Sequence, residues 1–141
     1  MAGYDNDNVF AKILRGELPC HKVHEDDHTL VMMDIMPRGD GHALVIPKAP
    51  SRNILDIEAS DLAALYATVQ KVARAATRAF GAEGVTIQQF NEPAGGQVVF
   101  HAHVHVIPRH EGVSLKPHTG ERADDAVLAA QAEKLRAAMA G

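Results

Sequence analysis

Apolar and polar residues along this chain follow three rhythms, and each predicts a different kind of element. Thr29 to Ile35, His42 to Pro47 and Gly84 to Phe90 are short runs rich in Val, Ile, Leu and Met, as expected of strands. Lys22 to Glu25 reads as a briefer one. Leu62, Leu65, Val69, Val72, Ala76 and Phe80 instead recur at three- and four-residue spacing. That stripe predicts a long helix over Asp61 to Phe80, capped by Ser60, with Asp61 at the positive end of its dipole and Gly81 closing it. A short helix is predicted from Asn8 to Arg15, stopped by Gly16, and a final amphipathic one from Asp124 to Ala140. Residues 1–7 are polar and predicted to fray, and no element is predicted for 109–122. Strands grouped before and after one long helix predict an α+β domain, an antiparallel sheet covered by helices on one face. An open sheet edge would pair with a second copy of the chain.

The third rhythm is strict alternation, in Phe100-His101-Ala102-His103-Val104-His105-Val106-Ile107-Pro108. On a strand, His101, His103 and His105 would share one face at spacings of roughly 6.6–7 Å, with Ala102, Val104 and Val106 turned into the core. Pro108 donates no ladder hydrogen bond, so the strand is predicted to end near it. One histidine in such a place reads as a satisfied core or rim residue. Three in register read as a site, because each buried ring needs a hydrogen-bond partner. Two chemistries are open at this point, a metal centre and a nucleophile with its supporting shell.

With 141 residues, 46% hydrophobic and 23% charged, the chain fits a single ordinary globular domain. A net charge of −4 without a run of Lys or Arg argues against nucleic acid as a partner, while a single nucleotide stays compatible. The lone Cys20 excludes an internal disulfide and a cysteine-cluster metal site. No apolar run reaches membrane-spanning length, and the first residues lack the pattern of a signal peptide. The expected location is the cytoplasm, with no membrane partner.

Asn91-Glu92-Pro93-Ala94-Gly95-Gly96-Gln97 leads into the histidine run, and its glycines let backbone N–H groups approach a ligand such as a phosphate. Asp34 is a lone charge in an apolar strand, and His42 stands at the entry to another. Imidazoles, backbone donors and one carboxylate suit phosphoryl transfer, in which a neutral ring nitrogen attacks phosphorus and forms a phosphohistidine. The other nitrogen of that ring needs an acceptor to set its tautomer. His103, flanked by His101 and His105, is the natural nucleophile, and the outer two can orient it and donate to phosphate oxygens or the leaving group.

His101-x-His103-x-His105-Val106-Ile107, preceded by Gly96-Gln97, resembles the signature of the histidine triad (HIT) family of nucleotide hydrolases and transferases. Phe10-x-Lys12-Ile13-x-x-Gly16-Glu17-Leu18-Pro19 is similar to that family's first helix. Asp34-Ile35-x-Pro37 with His42-x-Leu44-Val45-Ile46-Pro47-Lys48 is similar to its second block. The chain is most like the bacterial forms of the Hint branch. The resemblance implies one HIT domain over 1–141, with its core at about 8–109 and a tail and helix over 110–141. It also implies a five-stranded antiparallel sheet, ten-stranded across a homodimer.

Carried over by position, the resemblance makes His103 the residue that takes the nucleoside monophosphate, with His42, His101 and His105 completing the cluster. Asp34 would accept from the ribose hydroxyls and Ile35 would lie against the base. Asn91 would contact the sugar or phosphate side, and Gly96, Gln97 and nearby backbone would hold the α-phosphate. The implied substrates are purine nucleotide conjugates, AMP joined to an amine or to another phosphate. Some relatives hold structural zinc at positions that are Asn8, Ala11 and Pro50 here, so neither a metal nor any other cofactor is expected. Val98 stands where the Hint enzymes have a serine, and the Asn91 loop is one residue shorter. The competing readings are a non-catalytic nucleotide-binding module of the same fold and a metalloprotein built on the three histidines.

Overall fold

The computed structural model describes residues 3–117 and 120–141, so parts of two irregular stretches read from the sequence, residues 1–2 and 118–119, lie outside it. Among the described residues, β1 (Lys22–Glu25), β2 (Thr29–Met33), β3 (Ala43–Pro47), β4 (Gly84–Gln88) and β5 (Val104–Arg109) form one antiparallel sheet in the order β1-β2-β3-β5-β4. The helices are α1 (Val9–Leu14), α2 (Ala59–Ala79) and α3 (Asp125–Ala140). None of them is long and apolar enough to cross a membrane.

Alternation along the strands divides the apolar residues between two cores. Val31, Met33, Val45, Val104 and Val106 meet Leu65, Val69 and Val72 of α2 and Leu128 and Leu135 of α3. Leu30, Met32, Leu44 and Ile46 meet Phe10 of α1 on the opposite face, with Val99 at the margin. β2 and β3 are buried on both faces, which is why they read as unbroken apolar runs. The expectation of helices on one face therefore holds for α2 and α3 but not for α1.

Several boundaries differ from the sequence reading. β2 stops at Met33 and β4 at Gln88, each two residues short. α2 begins two residues early, with Glu58 in the capping position and Ser60 already inside the first turn. The N-terminal stretch is not frayed at Tyr4, whose hydroxyl bonds the His101 ring at 2.6 Å.

The larger correction concerns the histidine run. Only His105 lies in β5; His101 and His103 precede it in irregular backbone. β3 pairs with β5 only from Val104 to Val106. Before that point the chain follows the 51–53 turn instead, and the Ala102 N–H donates to the Ser51 carbonyl at 2.9 Å. The strand ends at Arg109, one residue past Pro108 and near the expected point. The Arg109 carbonyl accepts from the Glu83 N–H on the β4 side. Pro108 consequently faces the other way, past the last β3 partner at Val106, where no donor is required.

The turn that delivers His42 to β3 is held from the helix side. Gly41 has φ of +79°, its N–H donates to Gln131 of α3 at 3.1 Å, and a Cβ built on it would lie 2.6 Å from the Phe80 ring. Gly41→Ala should therefore destabilise the protein by about 1–3 kcal/mol, through both the backbone conformation and the clash. Chemical denaturation measures this, and an unchanged midpoint would contradict it.

Candidate active site

Two chain segments converge on one end of the sheet. β2 and β3 are joined by a loop whose ends are bonded through the Asp34 N–H and the His42 carbonyl at 3.0 Å. β5 lies beside β3 with Leu44 opposite His105. This register brings His42 Nε2 within 2.9 Å of His105 Nδ1. It also leaves an Asp34 oxygen 3.4 Å from the former and 3.8 Å from the latter. His103 packs its ring against Phe10 at 5.0 Å and His105 at 5.2 Å between centroids. All four sequence-predicted histidines are thus gathered, although not by the regular pleat that the alternation suggests.

The hydrogen-bond partners set each ring's tautomer. The Arg38 N–H donates to His42 Nδ1 at 3.0 Å, so the neutral His42 ring carries its proton on Nε2 and donates to His105 Nδ1. Neutral His105 then carries its own proton on Nε2. His101 Nε2 donates to the Pro47 carbonyl at 2.7 Å, and its Nδ1 accepts from the Tyr4 hydroxyl. His103 Nδ1 donates to the His101 carbonyl at 2.7 Å. That leaves the His103 Nε2 lone pair with no hydrogen-bond partner among the described residues. Burial pushes the pKa of His103 down and that of His101 down to about 4, so both rings are neutral near pH 7. Burial also raises the Asp34 pKa, against the pull of the Met36 N–H on its carboxylate.

Asp34, His42 and His105 place their ligand atoms within 4.8 Å of one another, so this group invites a test for a metal ion. A ligating histidine normally donates its other N–H to an acceptor. His42 Nδ1 faces the Arg38 N–H instead, so Nε2 holds the proton and has no lone pair to offer. Nor does the zinc position implied by the resemblance fit an ion. Asn8 caps α1 by accepting from the Ala11 N–H at 2.8 Å, and Ala11 and Pro50 offer no side-chain donor.

The 91–100 loop differs from its sequence reading in how it uses its polar groups. Gln97 is 4% exposed. Its Nε2 donates to the carbonyls of Arg52 (2.7 Å) and Val99 (3.0 Å), while Oε1 accepts from the Glu92 N–H (2.8 Å) and Asn53 Nδ2 (3.0 Å). A carboxamide so occupied braces the loop and has no donor left for a phosphate. Asn91 Oδ1 accepts from the Ile54 N–H at 2.9 Å and from Gln89. Gly96, with φ of +95°, closes the 3-10 turn Pro93–Gly95. Val98 is 83% exposed. The N–H groups of Val98 and Val99 are open in that they have no acceptor among the described residues. Ile35 is 38% exposed, and its carbonyl takes the Ala123 N–H.

Sequence reasoning missed Tyr4, Arg38, Arg52, Asn53 and Glu92. Tyr4 sits in a polar stretch without periodicity, and Arg38 acts through its backbone, so neither leaves a residue-type signal.

Because the folded pKa of His101 lies below its unfolded value of 6.5, the unfolded chain binds more protons between pH 6.5 and about 4. Its contribution is whole above pH 6.5 and is lost as pH falls through that window, by roughly 3 kcal/mol in all. The raised pKa of Asp34 gives an opposite trend, so wild type should be compared with His101→Gln. Between pH 7.5 and 4 the wild type should lose roughly 3 kcal/mol more than the variant in urea unfolding. Parallel pH profiles would contradict this.

A HIT domain family model matches residues 15–112. Adenylylsulfatase HINT3 of Arabidopsis thaliana is 42% identical over 106 residues, which are 75% of this chain and 54% of that protein. The chain therefore spans about half the length of that relative. Adenosine 5'-monophosphoramidase hnt1 of Schizosaccharomyces pombe is 37% identical over 101 residues, 72% of this chain and 73% of its own. Among solved structures, a Hit-like protein from Bartonella henselae, described as involved in cell-cycle regulation, has a TM-score of 0.91 at 47% identity. That match covers 96% of this chain and 99% of the other. With all five strands of its sheet and all four site histidines inside the matched span, the chain belongs to the HIT domain family.

Proposed function

We propose that the protein is a hydrolase or nucleotidyl transferase acting at the α-phosphate of purine nucleotide conjugates. Family membership and relatives named as an adenylylsulfatase and an AMP phosphoramidase support nucleotide hydrolysis in general. The observation that carries the finer reading is the His103 ring, neutral, tied down at Nδ1 and with its Nε2 lone pair uncommitted.

In the first step Nε2 of His103 forms a bond to phosphorus while the bond to the leaving group breaks, that group departing with the electron pair. The positive charge left on the ring is stabilised by the His101 carbonyl at Nδ1–H. The His105 Nε2–H donates to a phosphoryl oxygen or the leaving atom, its direction maintained by His42. The open N–H groups of Val98 and Val99 take the remaining phosphoryl charge. Water then attacks phosphorus, the P–N bond breaks with its electron pair returning to Nε2, one proton of the water passes to solvent, and AMP and neutral His103 are released. Asp34 accepts from the ribose hydroxyls and Ile35 covers the base. Asn91, already bonded to the Ile54 N–H, supports this loop from behind.

The active form is a homodimer that extends the sheet through β4. This is an edge strand bearing Val85 and Ile87 at 36% and 40% exposure, whereas at the other edge Arg136 already occupies the Lys22 carbonyl of β1. Ile87→Lys should convert a dimer into a monomer in sedimentation velocity. A wild-type monomer at working concentration would contradict the assembly.

His103→Ala should fold normally and retain less than a few per cent of wild-type hydrolysis of adenosine 5'-phosphoramidate, a loss of at least about 2 kcal/mol in transition-state stabilisation. Acid quench of wild type during single turnover should trap an adenylylated protein, with the label on His103. Substantial turnover by the variant would remove the nucleophile assignment. Substrate binding by wild type without adduct or turnover would favour a non-catalytic nucleotide-binding module.

A further inference from the structure

Arg52 and Glu92, forty residues apart, meet as two forks: Nε to Oε2 at 2.7 Å and Nη2 to Oε1 at 3.0 Å. Arg52 is 8% exposed, and its guanidinium lies over the Phe100 ring at 4.2 Å. Asn53 Nδ2 donates to Glu92 at 2.6 Å and to Gln97 at 3.0 Å. The circuit closes where Gln97 donates back to the Arg52 carbonyl and accepts from the Glu92 N–H. Glu92 adopts φ of +65°, the only non-glycine residue with positive φ among the described residues.

Ordinary packing does not call for this arrangement. A mostly buried ion pair loses hydration that apolar residues of similar size would not, and a glutamate at positive φ adds backbone strain. In some proteins such pairs are retained because they select one conformation over its neighbours. The conformation selected here is that of residues 92–100, the stretch that passes from the 3-10 turn to the open N–H groups of Val98 and Val99 and on to the His101 carbonyl that orients His103.

We propose that the Arg52–Glu92 pair, with Asn53, is a clamp that aims the 98–99 backbone N–H groups at the phosphoryl group. These three are positioning residues that act through backbone they hold and do not touch the substrate. The proposal rests on the reading of the site as a nucleotidyl-transfer centre. It follows that the clamp serves the phosphate and not the nucleoside, whose contacts lie at Asp34 and Ile35 across the site.

Affinity for AMP and for adenosine, by calorimetry, separates these roles in wild type, Arg52→Met, Arg52→Lys and Glu92→Gln, alongside kcat and KM for adenosine 5'-phosphoramidate. The variants should bind adenosine within about twofold of wild type but AMP about tenfold more weakly, and kcat/KM should fall roughly fiftyfold. Arg52→Lys should not restore either, because a single ammonium cannot reproduce the fork. Glu92→Gln keeps the shape and supplies the test if the arginine variants fold poorly. Variants with wild-type AMP affinity would overturn the clamp, as would equal losses for adenosine and AMP, the mark of structural support alone. If wild type itself neither binds AMP nor turns over, the nucleotide reading falls and takes the clamp with it. Active wild type with indifferent variants removes the clamp alone.

Discussion

The site depends on one hydrogen bond, from His103 Nδ1 to the carbonyl of His101 two residues earlier. An imidazole has two nitrogens, and a nucleophile needs the lone pair on the one that faces its target. By anchoring the proton on Nδ1, the chain leaves the Nε2 lone pair uncommitted, which is what the proposed nucleophile requires if it is to act without a separate general base. Burial adds to this by keeping the ring uncharged. The bond is possible only because the backbone leaves the strand before His103. In a regular pleat, the His101 carbonyl would point sideways into the ladder and not back under the ring.

The neighbouring rings follow the same logic of fixed donors. A backbone N–H at Arg38 decides the tautomer of His42, His42 decides that of His105, and a carbonyl and a hydroxyl on either side decide that of His101. For His42, His101 and His103 at least one partner is a backbone group that cannot titrate. The cluster is therefore ordered, with His42 donating to His105, and the same order removes the lone pair that a cation would require at His42.

Much of this was legible in the residues. The β3 and β5 core, the α2 stripe and the end of α1 at Gly16 follow from periodicity and capping, because burial on both sides of a strand or one face of a helix leaves a pattern. The alternation of His101, His103 and His105 pointed to a site, but it implied a pleated strand where the chain is irregular. Pairing with β3 runs out at Val104, although β3 itself continues to Pro47 beside β2, and no local pattern in the histidine segment marks that limit. Gln97 was read as a phosphate ligand by resemblance, yet its four hydrogen bonds tie the loop at Glu92 and Val99 to Arg52 and Asn53. The Arg52–Glu92 pair left no trace in either local sequence, since its meaning is a contact across forty residues. Pairings of that kind are tertiary facts that no window of residues contains.

The central claim concerns where one proton sits, and nitrogen NMR of the histidine rings reads that directly. In protein labelled with 15N at its imidazoles and assigned by the loss of signals in His103→Ala, His103 at pH 7 should show a protonated Nδ1 and an unprotonated Nε2. A proton on Nε2, or a charged ring at that pH, would contradict the account.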